Sequence, residues 1–276
     1  MTGPLITLTS DFGTRDGYVG AVKGVILALN PDARIIDITH EIAPQGIAQA
    51  AFVTSTVWPH FPAEAIHYCV VDPGVGTHRR ALVLRTGHGC FVGPDNGVLS
   101  AALPDAVRAA VRSDGTAPLP EGVEAYALEN PAYRRERVSR TFHGRDVFAP
   151  AAGHLSLGVE PESFGPRVEA IRALPPFRAL PGAEGTLGGR VIHVDYYGNL
   201  VTDVRASDLP SGDIVVAVAG HEVRGPVPTF AAGQGLLAYV GSVGYLEIAL
   251  RDGNAAAALG AAIGDAVLVR PAARRG

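Results

Sequence analysis

The sequence predicts an α/β fold, with an N-terminal α/β domain built on a mainly parallel sheet and a small C-terminal β-barrel. Two patterns lead to this prediction. In the first half of the chain, short apolar segments rich in β-branched residues alternate with segments of helical periodicity, which is typical of strand–helix–strand units. Towards the C-terminus, short strand-like segments are separated by Gly, Pro and Asp turns, which is typical of a small barrel or sandwich.

The elements of the N-terminal half follow in a regular order. Residues 5–9 are predicted to form an apolar strand that breaks at Asp11-Phe12-Gly13. Residues 17–29 are predicted to form a helix, because apolar side chains recur at helical spacing until Asn30-Pro31 ends the pattern. The other expected elements are a short buried strand at 34–39, a helix at 47–58, strands at 66–71, 81–85 and 90–92, and a helix at 147–155.

A proline-rich stretch separates the two halves. Prolines are concentrated between residues 161 and 181, a composition that indicates a linker or a wrapped connection. We therefore expect an α/β domain at 1–165, a linker at 166–185 and a β-barrel domain at 186–276. The strands expected near and within the barrel are 190–194, 214–218, 236–240, 245–250 and 266–269, with a short helix at 255–259 that starts at the N-cap Asn254.

Charge and cysteine content narrow the class of protein. Lys and Arg number 23 against 27 Asp and Glu, so the net charge is -4 and gives no basic footprint for nucleic acid. Cys69 and Cys90 lie in apolar runs and are interpreted as core residues rather than as a disulfide. The N-terminus lacks a signal-peptide pattern and no apolar stretch reaches the length of a membrane span, so a cytoplasmic location with no membrane partner is expected.

Two acidic turns are candidates for a functional site. Asp11 follows the first predicted strand and Asp72 follows the strand at 66–71, each beside glycines that allow a ligand to approach the backbone closely. Ligands bind at the carboxyl ends of strands in α/β sheets, so the two carboxylates together favour a function. Asp16, just before the predicted helix, fits a functional group and a plain helix cap equally well.

Basic and amide side chains add further candidates. Arg79 and Arg80 precede a predicted strand, where neighbouring residues face opposite sides, so one of them is expected to point inward. His143 lies in a Gly-bearing polar turn, a setting in which catalytic groups concentrate, although a lone histidine is commonly structural. Residues 195–199 could hold a polar ring system or form a plain turn. The histidines and cysteines lack the spacing of zinc ligands, so no metal is expected.

Several short segments, taken in order, resemble the S-adenosylmethionine hydroxide adenosyltransferase family, whose relatives include fluorinase and chlorinase. Each segment is weakly specific, whereas the ordered set runs through nearly the whole chain. The matching segments are Thr9-Ser10-Asp11-Phe12-Gly13, Asp16-Gly17-Tyr18, Val71-Asp72-Pro73-Gly74-Val75-Gly76-Thr77, Phe91-Val92-Gly93-Pro94-Asp95-Asn96-Gly97, Thr141-Phe142-His143-Gly144-Arg145-Asp146, Gly198-Asn199 and Gly241-Ser242-Val243-Gly244-Tyr245-Leu246-Glu247.

The resemblance implies an assembly and an activity. It implies a catalytic α/β domain, a C-terminal β-barrel, and a homotrimer with its active sites at subunit interfaces, each between the N-terminal domain of one subunit and the C-terminal domain of the next. The implied reaction is the hydrolysis of S-adenosyl-L-methionine by water or hydroxide at C5′, which releases adenosine and L-methionine. S-adenosylmethionine is the substrate, and no cofactor or metal is implied.

The resemblance also implies roles for single residues. Asp72, Arg79 and His143 would handle the attacking water, since an Arg stabilises negative charge on oxygen and an Asp or His can accept the proton. Asp11, joined by Asp72, would hold the ribose hydroxyls. The other implied binding residues are Asn199, Ser242 and Glu247 for adenosine or the methionine end, Phe230 for stacking on adenine, and Ala255 for a backbone contact with the adenine edge.

Departures from the halogenases favour the hydrolytic branch. Those relatives carry an aromatic residue at Asp72, a Trp at Gln45, a serine halide site at His143-Gly144, and an N-domain loop that this chain lacks. Three alternatives stay open at this point: a halogenase that uses S-adenosylmethionine, a metal-dependent nucleoside hydrolase in which Asp11 and Asp16 bind Ca²⁺, and a non-catalytic protein that binds adenosine or S-adenosylmethionine.

Overall fold

The structure, a computed structural model, describes residues 4–272. Residues 1–3 of the N-terminal segment, for which no signal peptide is expected, lie outside the described residues. The chain divides into two compact units, Met1–Pro176 and Phe177–Gly276. This division falls inside the proline-rich stretch, and the limits 1–165, 166–185 and 186–276 stay a prediction. Within residues 4–272, no helix combines the length and the apolar character that crossing a membrane requires.

The N-terminal unit is built on one seven-stranded sheet formed by described residues, in the order β2-β1-β3-β5-β4-β7-β8. Strands β2, β1, β3, β5 and β7 run one way, and β4 and β8 run the other way, so the sheet is mainly parallel as predicted. A separate pair is formed by β6 and β9. The strands are β1 Leu5–Ser10, β2 Arg34–Thr39, β3 Ile66–Val70, β4 Ala81–Thr86, β5 Gly89–Pro94, β6 Thr116–Pro118, β7 Glu124–Ala127, β8 Arg167–Val168 and β9 Ala170–Arg172.

Helices cover both faces of this sheet. They are α1 Tyr18–Leu29, α2 Ile47–Val57, α3 Asp105–Ala109 and α4 Ala149–Ser156. Because side chains alternate along a strand, Tyr68 and Val70 of β3 pack into a core with α1 and α4, whereas Cys69 and Val71 pack into a second core with α2. Burial on both faces explains why β3 has a nearly continuous apolar sequence.

One N-terminal expectation was wrong in detail. The strand at 34–39 forms with the predicted limits, but among residues 4–272 it pairs only with β1 and is an edge strand, and Arg34, Ile36 and Asp37 are exposed. An edge strand leaves one side open to solvent, so its β-branched sequence reflects strand preference rather than burial.

The C-terminal unit is a nearly closed antiparallel barrel, which confirms the predicted fold class. Its described strands follow the order β14-β13-β17-β11-β12-β16-β15, with β10 also paired to β11. The two edges meet where the Val227 amide donates to the Ala238 carbonyl at 2.8 Å. The elements are β10 Leu180–Pro181, β11 Leu187–Val194, β12 Leu200–Arg205, β13 Ile214–Val218, β14 His221–Gly225, β15 Leu236–Val240, β16 Tyr245–Leu250, α5 Ala255–Leu259 and β17 Ala266–Pro271.

Candidate active site

The structure brings Asp72, Arg79 and His143 together in the N-terminal unit. Arg79 donates through Nε to Asp72 Oδ1 at 2.8 Å and through Nη2 to Asp72 Oδ2. The same Nη2 atom lies 2.8 Å from Nδ1 of His143. The Asp72 and Arg79 side chains are 7% and 10% exposed, so this bidentate pair is largely shielded from water and screened less than a surface pair. We call these three residues the Asp–Arg–His cluster.

The turn after β3 gives the cluster its shape. The Val75 amide donates to the Asp72 carbonyl at 3.2 Å, and the Thr77 hydroxyl donates to the Gly74 carbonyl at 2.7 Å. Gly76 has a φ of 77°, and a β-carbon there would collide with the carbonyl oxygen of Arg140. A glycine is therefore required, and the chain folds back so that Arg79 faces Asp72.

A π-helical turn, Gly144–Phe148, leads directly into α4 and presents His143 at its start. Such turns are frequent at functional sites. A β-carbon on Gly144 would lie 2.8 Å from Phe12 Cζ and 2.8 Å from the Tyr68 hydroxyl oxygen, so the turn packs tightly against β3. Burial, followed by the positive charge of Arg79, lowers the pKa of His143 and favours the neutral imidazole.

Two neighbouring residues of this turn have structural partners. Arg145 donates from Nε and Nη2 to the fully buried carboxylate of Asp146 at 2.7 and 2.8 Å, and the Ser139 amide donates to the same carboxylate at 2.9 Å. Burial acts to raise the pKa of Asp146, but the hydrogen bonds from Arg145 outweigh it together with the other contacts, so the pKa is lowered overall. These contacts anchor the loop that carries His143.

The Asp11 carboxylate lies at the carboxyl end of β1, as expected. Its Oδ2 accepts the backbone N–H of Gln45 at 2.9 Å, and Gln45 has a φ of 67°. The preceding Ser10 is fully buried, and its hydroxyl lies 2.7 Å from Nδ1 of His40, whose Nε2 lies 3.1 Å from Asp37. This Ser–His–Asp chain has the residue types of a hydrolase triad, but a serine without solvent access cannot meet a substrate, so we assign it to holding the Asp11 turn.

The C-terminal unit contains a cavity of about 700 Å³, which we call the barrel cavity. Four of the predicted binding residues line it: Asn199, Phe230, Ser242 and Glu247. Ala255, the first residue of α5, is fully buried and is not among the residues that line this cavity. Asp195 and Tyr197, from the segment 195–199 that was expected either to hold a polar ring system or to form a plain turn, also line it. Sequence reasoning missed the remaining lining residues: Tyr239, Leu250, Asp252 and Gly253.

Tyr239 and Asp195 orient the predicted binding groups. The Tyr239 hydroxyl donates to Glu247 Oε2 at 2.5 Å, and burial raises the pKa of both residues. Asp195 accepts both the backbone N–H and the side-chain amide of Asn199 at 2.8 Å. The Phe230 ring is 41% exposed and lies 4.8 Å from the Tyr239 ring. Tyr239 lies opposite Glu247 in the register of β15 and β16, which brings the two side chains together. The sequence alone does not give this register, so it could not identify Tyr239.

The metal-dependent nucleoside hydrolase considered above would need a cluster of acidic side chains around Asp11 and Asp16. Within residues 4–272, no group of three or more His, Cys, Asp or Glu side chains is placed to hold a metal ion. Asp16 is exposed. The structure therefore does not bring Asp11 and Asp16 into such a group.

Fold and site together define a two-domain protein with an Asp–Arg–His cluster in an α/β unit and a polar cavity in a barrel unit. The SAM hydroxide adenosyltransferase N-terminal domain matches residues 6–165, and the SAM hydroxide adenosyltransferase C-terminal domain matches residues 189–268. The chain belongs to the SAM hydroxide adenosyltransferase family, which confirms the resemblance seen in the ordered motifs.

Individual relatives agree with this assignment. The (R)-S-adenosyl-L-methionine hydrolase of Salinispora arenicola is 40% identical over 270 residues, which cover 96% of this chain and 97% of that protein. The fluorinase of Actinopolyspora mzabensis is more distant, at 26% identity over 285 residues and 89% of this chain and 90% of that protein. The crystal structure of an uncharacterized conserved protein from Thermotoga maritima matches with a TM-score of 0.83 and 32% identity, covering 97% of this chain and 99% of that one.

Proposed function

We propose that this protein is an enzyme that hydrolyses S-adenosyl-L-methionine by attack of water or hydroxide at C5′, giving adenosine and L-methionine. The observation that carries the proposal is the Asp72–Arg79–His143 cluster, in which His143 comes 64 residues after Arg79 in the chain. It is supported by family membership and by the hydrolase named among relatives at 40% identity. The sulfonium is a good leaving group without protonation, so the chemical task is to position water and accept its proton.

The hydrogen bonds constrain which residue accepts that proton. A guanidinium only donates, so the Nδ1 atom that lies 2.8 Å from Arg79 must carry a lone pair, and the proton of the neutral ring is on Nε2. In this arrangement His143 offers a donor, and not an acceptor, to a reactant. Asp72 keeps unused lone pairs on both oxygens although each accepts from Arg79. We therefore assign proton acceptance to Asp72.

Most hydrogen-bond donors of the Arg79 guanidinium already have partners. Its Nε and Nη2 hydrogens are used by Asp72 and His143, and one Nη1 hydrogen points to the Arg80 carbonyl at 3.4 Å. The remaining Nη1–H faces away from the edge that holds Asp72, so it does not contact the water that Asp72 deprotonates. The positive charge of the guanidinium beside Asp72 would stabilise the negative charge on the water oxygen as the proton leaves. The oxygen then bonds to C5′, the C5′–S bond breaks, and its electron pair stays on sulfur as the methionine thioether.

Substrate contacts form the second part of the proposal. We assign Asp11 and Asp72 to the ribose hydroxyls, and Asn199, Ser242 and Glu247 in the barrel cavity to adenosine or the methionine end. Phe230 is assigned to stacking on adenine, which its partly exposed ring permits. The backbone role of Ala255 and the independence from any cofactor are kept as expectations from the family resemblance.

Assembly and location extend the same proposal. We infer a homotrimer with active sites at subunit interfaces and a cytoplasmic location, both expected from the resemblance and the sequence. Light scattering of the purified protein tests the trimer, and a monomeric mass with full turnover would contradict it. Cell fractionation tests the location.

The decisive experiment uses purified protein and S-adenosylmethionine in water enriched in ¹⁸O, with and without chloride. Attack at C5′ predicts equal amounts of adenosine and methionine, with the label in the 5′ oxygen of adenosine. Free adenine would indicate a nucleoside hydrolase, 5′-chloro-5′-deoxyadenosine a halogenase, and unchanged substrate with tight binding a sensor. Any of these three outcomes would overturn the proposal.

A further inference from the structure

A second cavity, which we call the arginine pocket, lies beside α1 in the N-terminal unit. Its volume is about 600 Å³, a size typical of sites for small organic molecules, and no member of the Asp–Arg–His cluster lines it. Its lining combines an apolar wall with basic side chains, and no Asp or Glu of residues 4–272 is part of it. The lining residues are Ala21, Gly24, Val25, Ala28 and Leu29 of α1, Pro150 and His154 of α4, and Arg134, Arg135 and Arg145.

Two of the three arginines share one carboxylate. Arg145 donates to Asp146 from Nε and Nη2, and Nη1 of Arg135 lies 3.6 Å from the same carboxylate. The Arg145 guanidinium also lies over the Phe142 ring, with Cζ 4.9 Å from the ring centroid, which fixes its plane. Among the hydrogen bonds of residues 4–272, none of those made by Arg145 uses its Nη1 atom. That end of the guanidinium is therefore available to a ligand.

The third arginine, Arg134, is the least satisfied. Its Nε is shielded from water and has no hydrogen-bond partner among the described residues. Buried charged groups are normally paired, because an unpaired one costs stability. Glu129 acts on Arg134 electrostatically, but burial is the larger influence, and it lowers the pKa of the guanidinium. The side chain is only half-buried and lines the arginine pocket, so a ligand can reach it.

We propose that the arginine pocket binds an organic anion, whose carboxylate or phosphate group is held by Arg134, Arg135 and Arg145 and whose apolar body lies on α1. A guanidinium offers paired N–H donors that match the oxygens of either anionic group. A bound anion would also offset the cost of burying the Arg134 guanidinium. The apolar wall favours an organic ligand over an inorganic ion, since only an organic ligand covers it. This site is separate from the proposed reaction and does not depend on it.

Titration calorimetry of the purified protein tests the site, with octanoate and octyl phosphate as probes below the concentrations at which they form micelles. We expect saturable binding at one site per chain. Octanol, which lacks the charge, and acetate and inorganic phosphate, which lack the apolar body, should each bind at least about tenfold more weakly. The tighter of the two probes shows whether the pocket is built for a carboxylate or for a phosphate ester.

Two variants locate the binding within the molecule. Arg134→Gln should weaken the tighter probe by about tenfold or more, because a charge-assisted contact is lost. Ala28→Phe should weaken it by a similar factor, since the ring fills the pocket from an exposed position of α1 that tolerates substitution. Arg167→Gln removes an exposed arginine of the same unit that does not line the pocket, and it should bind as the wild type does. If Arg134→Gln fails to fold, Ala28→Phe decides the test.

Each other outcome contradicts the inference. Absence of saturable binding by both probes would show that the pocket is no such site, and equal affinity for octanol would show that the arginines do not select an anion. Equal affinity for inorganic phosphate would make it a simple ion site. Unchanged affinity in a folded Arg134→Gln or Ala28→Phe variant would place the ligand elsewhere. The titrations contain no S-adenosylmethionine, so their result is separate from success or failure of the proposed hydrolysis.

Discussion

Arg79 joins Asp72 and His143 through a single nitrogen: Nη2 donates to the carboxylate and lies 2.8 Å from Nδ1 of the imidazole. Among the hydrogen bonds of residues 4–272, the carboxylate and the imidazole are connected only through this guanidinium. Arg79 therefore couples the carboxylate to the imidazole, and its removal would break both contacts.

Arg79→Ala is expected to lower kcat/KM for S-adenosylmethionine by about 100-fold or more, because the site loses the positive charge that stabilises the attacking oxygen and Asp72 loses its bidentate partner. Arg79→Lys should not restore activity, since an ammonium cannot make the forked contact. Adenosine release measured by chromatography checks both. Arg85→Ala, which removes an arginine paired with Glu124, is the control expected to keep activity. Wild-type turnover in Arg79→Ala would show that the cluster is not the catalytic centre.

Tyr239→Phe is expected to raise KM for S-adenosylmethionine by about three- to tenfold with little change in kcat. The reason is that Glu247 loses the 2.5 Å hydrogen bond that orients its carboxylate in the barrel cavity. Steady-state kinetics and adenosine binding by calorimetry measure the effect. Tyr245→Phe, on the neighbouring strand and outside the cavity lining, serves as the control. An unchanged KM would contradict the assignment of Glu247 to substrate binding.

Gly144→Ala is expected to destabilise the protein by about 1–3 kcal/mol and to lower turnover, because the new methyl group would meet the Phe12 ring and the Tyr68 hydroxyl at 2.8 Å. Denaturant unfolding and the adenosine assay report the two effects. Gly20→Ala in α1 is a matched control, since a β-carbon there has open space and alanine favours a helix. Equal stability of the two variants would contradict the tight packing of the π-helical turn.

Stability should fall as the solution is acidified below about pH 6.5, and His67 is a specific cause. Burial lowers its pKa from 6.5 to about 4, so between these pH values the unfolded chain takes up a proton that the native chain does not. The contribution is complete above pH 6.5 and amounts to about 3 kcal/mol lost by pH 4.

Urea unfolding at a series of pH values measures this slope. His67→Asn should have a flatter pH dependence than the wild-type protein, because its amide carries no titrating proton. His60→Asn changes an exposed histidine of the same unit and should leave the slope as it is. Parallel curves for His67→Asn and the wild type would rule out His67 as the cause.

Local patterns predicted many elements closely. The first strand, expected at 5–9, is Leu5–Ser10, and the first helix, expected at 17–29, is Tyr18–Leu29. Strand β12 was missed because its sequence is interrupted by Thr202 and Asp203. Both are buried, and their partners, the Leu246 carbonyl and the Arg190 amide, come from other strands of the barrel. Polar residues of this kind become acceptable in a strand only once tertiary partners satisfy them.

The sequence by itself determined the fold class, the ordered family motifs and the acids at the ends of β1 and β3, because these depend on periodicity and on residues that are near one another in the chain. Only the tertiary structure decided that Arg79 reaches both Asp72 and His143, that Tyr239 holds Glu247, and that the Arg134 Nε has no hydrogen-bond partner among the described residues. Hydrogen bonding and burial depend on distances between residues that the chain order does not specify, so these relationships appear only when the elements are packed.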